Sequence, residues 1–314
     1  MTLLYMLVRF AWYNPNGDCM KIDVVRPNGY CHGVASAILR IVELSKSDTP
    51  KPVHVYGMVI HNMHVTEALA RAGVISHLQP TLADIDQMQG TIVFTAHGTP
   101  KATKEYAASK GLTCVDVTCK DVTSTLNLID DFIDKGYHVL YIGKHGHPES
   151  IAASEDPNVT LVETLEELQA LDLQGKWAVT NQTTLSILEL AEQYQYLRDT
   201  YPEITIMNEI CNATLRRQEA VLDHFDKDLL IVVGDPKSNN SQNLAKMHPN
   251  GVLIQSYRDL ASLDLNVDTV AVTAGASTPR QILNEVVEAL EYYNQTGSFA
   301  YPSTMNDERI LALK

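Results

Sequence analysis

The stretch Arg26-Pro27-Asn28-Gly29-Tyr30-Cys31-His32-Gly33-Val34 decides how the rest of the chain is read. The apolar run Ile22 to Val25 ends in front of it. Behind it, Val34, Ala37, Ile38 and Ile41 fall on one face of a helix. Cys31 therefore sits at a strand-to-helix turn with a glycine on each side. A thiol in that place is partly exposed and meets the positive end of a helix, which favours thiolate. Such a turn can hold a metal or a nucleophile. Taken alone it reads better as an inert turn cysteine.

The turn recurs. Cys119 lies 88 residues after Cys31, and Cys211 lies 92 residues after Cys119. Cys119 follows the apolar stretch Leu112 to Val117 and precedes Val122, Leu126, Ile129 and Ile133 at helical spacing. Cys211 follows Ile204 to Ile210 and precedes Val221, Leu222 and Phe225. A polar residue stands 30, 28 and 29 residues after each cysteine, at His61, His147 and Asn240. A second stands 36, 36 and 37 residues further on, at His97, Thr183 and Ser277. Each of these lies at or near the end of an apolar run. Between them, Thr81-Leu82-Ala83, Thr164-Leu165-Glu166 and Tyr257-Arg258-Asp259-Leu260 look like starts of short helices.

A repeat of this length governs how every local segment is read. Three units of about 90 residues that alternate short apolar runs with helices give an α/β fold, a trefoil of three small units. Continuous apolar runs suit parallel strands covered on both faces. Ligands of such sheets bind beyond the carboxyl ends of the strands, where the repeated Cys, His, Thr, Asn and Ser all fall. The boundaries read as 20–118, 119–210 and 211–297, with an extension at 1–19 and a tail at 298–314. The extension lacks the charged start and small-residue cleavage site of a signal peptide. Met20 is read as the natural start, or residues 1–19 as a dispensable tail, with Cys19 no ligand. A chain beginning at Met20 that failed to fold would refute this. The tail is expected to pack back over the site.

Composition narrows the function. A net charge of −14 argues against nucleic acid as a partner. Five cysteines in 314 residues are too few for a disulfide scaffold and point to a reducing, cytoplasmic setting. No apolar run approaches the roughly 20 residues of a membrane span.

Three cysteines at three equivalent sheet edges can converge on one point. Two metal readings follow: zinc with an open position, or an iron–sulfur cluster with one iron free of protein thiolate. Cys114 is a possible fourth ligand, but its place inside an apolar run reads as core. Around the cysteines stand His61, His97, His147, Thr183, Ser238, Asn239, Asn240 and Ser277. Several precede helix starts, and helix N-termini with such donors make an anion site. Each Ser or Thr taken alone reads better as a helix cap, and here both roles are compatible. Glu149, in His145-Gly146-His147-Pro148-Glu149, is the carboxylate near this ring. Buried beside an anion it would be a proton donor; exposed, it would simply open a helix.

These residues resemble a known family. The segments are Asn28-Gly29-Tyr30-Cys31-His32-Gly33-Val34, Val59-Ile60-His61-Asn62, Ala96-His97-Gly98, Asp116-Val117-Thr118-Cys119, Gly146-His147-Pro148-Glu149, Gln182-Thr183-Thr184, Ile210-Cys211, Ser238-Asn239-Asn240-Ser241 and Thr273-Ala274-Gly275-Ala276-Ser277. Together, from about Met20 to Tyr293, they are similar to the 4-hydroxy-3-methylbut-2-enyl diphosphate reductases, the IspH/LytB family. The resemblance implies a three-unit trefoil and a [4Fe-4S] cluster on Cys31, Cys119 and Cys211. It implies a diphosphate held by His61, His97, His147, Ser238, Asn240 and Ser277, with Asn239 where the family commonly has Ser. Thr183 and Glu149 would handle the substrate hydroxyl and its proton. Two electrons and protons would remove that hydroxyl as water, leaving isopentenyl and dimethylallyl diphosphate. The electron donor would be reduced ferredoxin or flavodoxin.

The chain departs from the family pattern at Lys120, where Pro usually follows the second cysteine. It departs again at Ser150-Ile151-Ala152, at Gly234-Asp235-Pro236-Lys237 and in the segment after Cys211. Lys120 beside a cluster could shift its potential. The alternatives are a zinc hydrolase using the same ligands, or a relative that binds a diphosphate or senses redox state without turnover.

Overall fold

The structure, a computed structural model, describes residues 19–303 and 306–311. Apart from Cys19, which is exposed, the extension 1–19 lies outside the described residues.

Twelve strands among the described residues form three four-stranded sheets, and every pairing is parallel. In chain order they are β1 (Lys21–Val24), β2 (Val53–Tyr56), β3 (Val74–His77), β4 (Thr91–Phe94), β5 (Thr113–Asp116), β6 (His138–Ile142), β7 (Val159–Val162), β8 (Trp177–Asn181), β9 (Thr205–Ile206), β10 (Leu229–Val233), β11 (Gly251–Ile254) and β12 (Thr269–Ala274). The sheet orders are β3-β2-β4-β5, β7-β6-β8-β9 and β1-β12-β10-β11. Read from the other edge, the third is β11-β10-β12-β1, the same order as the first two. The α/β trefoil expected from the repeat is the architecture observed.

The apolar runs serve both faces of each sheet. Leu140 and Ile142 point into one core and Val139 and Tyr141 into another. Ile231 and Val233 alternate with Leu230 and Val232 in the same way. This is the two-residue period of a strand covered by helices on both sides. Fully burying each such side chain contributes about 1.5–3 kcal/mol.

The unit boundaries need one adjustment. The run Ile22 to Val25 does not pair within the first unit. β1 pairs with β12, from Lys21↔Thr269 to Val24↔Val272, and Met20 and Ile22 pack in the third core. The helix that follows, His32–Lys46, packs its Ala37, Ile38, Ile41 and Leu44 into the first core. In every unit the strand before a cysteine is the outer strand of one sheet and the helix after it belongs to the next. The N-terminal strand thus closes a linear three-fold repeat into a ring.

Two further expectations are corrected. Cys114 is exposed rather than core, because β5 is an edge strand with little covering it. It does not line the cavity described below. The tail packs back, but on the outside. Tyr30 donates its hydroxyl to the Ile310 carbonyl at 3.0 Å, Ile310 enters the first core, and Tyr301 lies edge-on to Tyr257 of the third unit. None of its described residues lines the cavity.

Candidate active site

The three strand-to-helix turns are built alike. Cys31, Cys119 and Cys211 each occupy the capping position of a helix, His32–Lys46, Lys120–Asp134 and Asn212–Leu222, and none caps with its side chain. Their backbone N–H groups are anchored in equivalent ways. Cys31 donates to the Ala276 carbonyl at 3.1 Å, Cys119 to Ala96 at 3.0 Å and Cys211 to Thr183 at 3.1 Å. Each acceptor is, or directly precedes, the second polar residue of a unit: Ser277, His97 and Thr183. One network therefore fixes both the thiols and the ring around them.

All twelve candidate residues line one cavity of about 270 Å³: Cys31, Cys119 and Cys211; His61, His97 and His147; Glu149 and Thr183; and Ser238, Asn239, Asn240 and Ser277. Close approach explains Gly33. A Cβ there would lie 2.5 Å from the Cys119 Sγ, so any other side chain would fill the space between two thiol-bearing turns. Gly275 does the same elsewhere, since its Cβ would meet the Ser241 Oγ at 2.0 Å. That leaves Ser241 free to donate to the Ser238 Oγ at 3.0 Å.

The expected thiolate is not what the helix ends alone produce. Burial pushes the Cys119 thiol up to about 11 and the Cys211 thiol upward too, outweighing the nearby backbone N–H groups. The thiols are set up for a cationic partner rather than for a free nucleophile. Among the described residues no three His, Cys, Asp or Glu side chains are placed to hold a single metal ion.

The imidazoles form a cluster. His61 stacks on His97 with centroids 4.2 Å apart, and His147 lies 5.5 and 5.6 Å from them. Burial and mutual repulsion hold His97 well below the usual imidazole range. Burial brings His147 down to about 3 and lowers His61. Both nitrogens of His61, Nδ1 of His97 and both amide atoms of Asn240 are buried without a partner among the described residues. An unpaired buried polar group costs about 1–3 kcal/mol. Five such atoms facing one cavity describe a polar ligand. Asn239 is different: its amide donates to the Thr184 carbonyl at 3.1 Å, tying the third unit to the second.

Glu149 is buried, which decides between its two readings. Its Oε1 accepts from the Thr183 N–H at 2.8 Å and the Tyr141 hydroxyl at 3.2 Å, and its Oε2 from the Thr183 hydroxyl at 2.9 Å. Burial still prevails over these bonds and pushes the carboxyl up to about 7. It can hold a proton near neutrality.

Three neighbours were not read from the sequence. Tyr141 hides inside an apolar run. Buried Asp235 accepts from the Met63 N–H at 3.2 Å and stands near His61. Arg217 is buried beside Cys31 and Cys211. Arg217 left a signal, since it shares a helix face with Thr214 and Val221.

Three equivalent α/β units that meet at three thiols, a proton-holding carboxyl and a ring of unpaired donors define an enzyme of small anionic substrates with its site at the junction. A match to the LytB protein family spans residues 22–291, and the chain belongs to that family. It is 43% identical over 307 residues to the 4-hydroxy-3-methylbut-2-enyl diphosphate reductase of Brevibacillus brevis, covering 93% of this chain and 99% of that one. Its fold is similar to the E-1-hydroxy-2-methyl-but-2-enyl-4-diphosphate reductase from Plasmodium falciparum, with a TM-score of 0.79, 29% identity and coverage of 86% and 88%. It is also similar to a solved (E)-4-hydroxy-3-methyl-but-2-enyl diphosphate reductase described as the terminal enzyme of the non-mevalonate pathway, with a TM-score of 0.61, 26% identity and coverage of 87% and 99%. These relatives lend no support to a zinc hydrolase or to a non-catalytic sensor.

Proposed function

We propose that the chain reduces (E)-4-hydroxy-3-methylbut-2-enyl diphosphate to isopentenyl and dimethylallyl diphosphate, and that Cys31, Cys119 and Cys211 hold a [4Fe-4S] cluster for that purpose. The observation that carries this reading is the convergence of three capping cysteines with unpartnered buried His and Asn atoms on one cavity. The donor set fits the group. It consists of sulfur alone, from three helix starts, with the missing Cβ of Gly33 leaving room at Cys119.

A bound iron–sulfur cluster supplies single electrons and a Lewis-acidic iron to a reaction in which hydroxide is a poor leaving group. The chain supplies the rest. His61, His97, His147, Asn240, Ser238 and Ser277 offer donors to the diphosphate, and the anion draws protons onto the otherwise neutral imidazoles. Ser238 also caps the helix Asn239–Lys246, adding its positive end. Asn239 holds the loop in place through Thr184. Below pH 7 Glu149 is protonated and donates across its 2.9 Å contact to the Thr183 Oγ1. The Thr183 hydroxyl then turns its own hydrogen toward the substrate hydroxyl. One C–O bond breaks, two electrons and two protons enter, and water leaves.

The electrons are assigned to reduced ferredoxin or flavodoxin. Both are acidic and the chain carries −14, so docking requires a local cationic patch. Exposed Lys120 at the cavity rim is one contributor. The setting assigned is cytoplasmic, and no described helix is long and apolar enough to cross a membrane.

Iron, acid-labile sulfide and the visible spectrum of anaerobically purified protein test the reading, followed by turnover of the hydroxylated diphosphate with a reduced dye. A brown protein with about four irons per chain and turnover is expected. Zinc, no metal under strict anaerobic handling, or a loaded protein without turnover would overturn it.

A further inference from the structure

The helix Asn212–Leu222 buries Thr214, Arg217, Gln218 and Val221 on one face. Arginine at such a position is rare unless its charge is neutralised. Arg217 is only 4% exposed. Its guanidinium donates to two carbonyls, to Gly29 at 2.6 Å and to Ala213 at 2.8 Å, while its Nε–H is buried without a partner among the described residues. Carbonyls orient a guanidinium but cancel none of its charge.

The two acceptors are informative. Gly29 stands two residues before Cys31, and Ala213 two residues after Cys211. Arg217 thus ties together the turns that present two of the three sulfurs, across the junction of the third and first units. The groups that couple to its charge are the Cys31 and Cys211 sulfurs themselves, which are thiolates when they ligate a metal. A buried cation beside two metal-bound thiolates is worth far more than one in water.

We propose that Arg217 is a positioning residue for the cluster: it fixes the Cys31 and Cys211 turns and supplies the counter-charge that raises the reduction potential of a cluster bound there. The proposal rests on the reading of these cysteines as cluster ligands. A positive charge beside the sulfurs favours the reduced, more negative form, by the same local electrostatics that tune other iron–sulfur sites.

The test compares the full-length chain with Arg217→Gln and Arg217→Lys, all loaded anaerobically, by potentiometric titration followed by electron paramagnetic resonance. The Gln variant is expected to titrate at a more negative potential, by at least a tenfold change in the one-electron equilibrium constant, or 59 mV. The Lys variant, which keeps the charge and loses the fork, is expected to shift by less than half as much. An unchanged potential in a loaded Gln variant overturns the proposal and leaves Arg217 a structural tie. If the Gln variant cannot be loaded, the Lys variant decides. Loading with a near-normal potential supports the role of charge, and failure like that of Gln overturns it. An unsubstituted chain that takes up no cluster overturns the reading of the cysteines, and this proposal with it.

Discussion

Glu149 shows how much one residue's surroundings can change its chemistry. Exposed at a helix start it would be an ordinary carboxylate; enclosed by Tyr141 and Thr183 it titrates near 7. Glu149→Gln is expected to lower kcat at least ~100-fold, the low end of general-acid contributions, while leaving diphosphate affinity by calorimetry within about threefold. The alkaline fall in kcat should begin at about pH 7, the value to which burial brings the carboxyl. Tyr141 donates to the carboxylate form, so Tyr141→Phe should move this limb to higher pH. Stability follows the same linkage. The folded value lies above the unfolded 4.5, so the unfolded state loses its proton first and stability falls as pH rises from about 4.5 to about 7. The three depressed imidazoles change both chains alike with the opposite sign, so the urea stability of the parent relative to Glu149→Gln is expected to fall between pH 5 and pH 8.

The recurring element is the capped helix that carries each thiol, and its weak point is the space beside the sulfur. Gly33→Ala places a Cβ 2.5 Å from the Cys119 Sγ, and the obstacle is a short side chain whose own backbone is hydrogen-bonded to Ala96. Iron content is expected to fall by more than half while the far-ultraviolet circular dichroism stays unchanged. Normal iron in that variant would mean that the turns can separate without loss. Arg217 acts at this same scale, holding two of the three turns in register.

The ring closure belongs to the whole molecule. β1 is local in sequence to the first unit, yet it completes the third sheet through β12. Removing it, by starting the chain at Arg26, strips the outer strand from Val270 and Val272, both fully buried. The third unit should then unfold at lower urea than the other two, seen as an early phase in the melt. The same loss releases the turn that holds Cys31, so cluster binding should fail with it. A single transition at the parent midpoint would show that β1 is an accessory strand.

Much of this was legible in the chain alone. The spacing of Cys31, Cys119 and Cys211, with the polar residues trailing each, reports a three-fold α/β repeat because strand and helix periods are local properties. It also names nine of the residues that line the cavity, since parallel sheets gather such residues at one edge. What it could not show depends on contacts between segments far apart in the chain. The partner of β1 lies about 250 residues away. Cys114 sits in an apolar run that only the sheet order reveals as an edge. The proton on Glu149, the neutral imidazoles and the raised thiols all arise from burial. Arg217 carries the same lesson, because a charge on a helix face acquires a role only when folding removes the water around it and brings two sulfurs to its side.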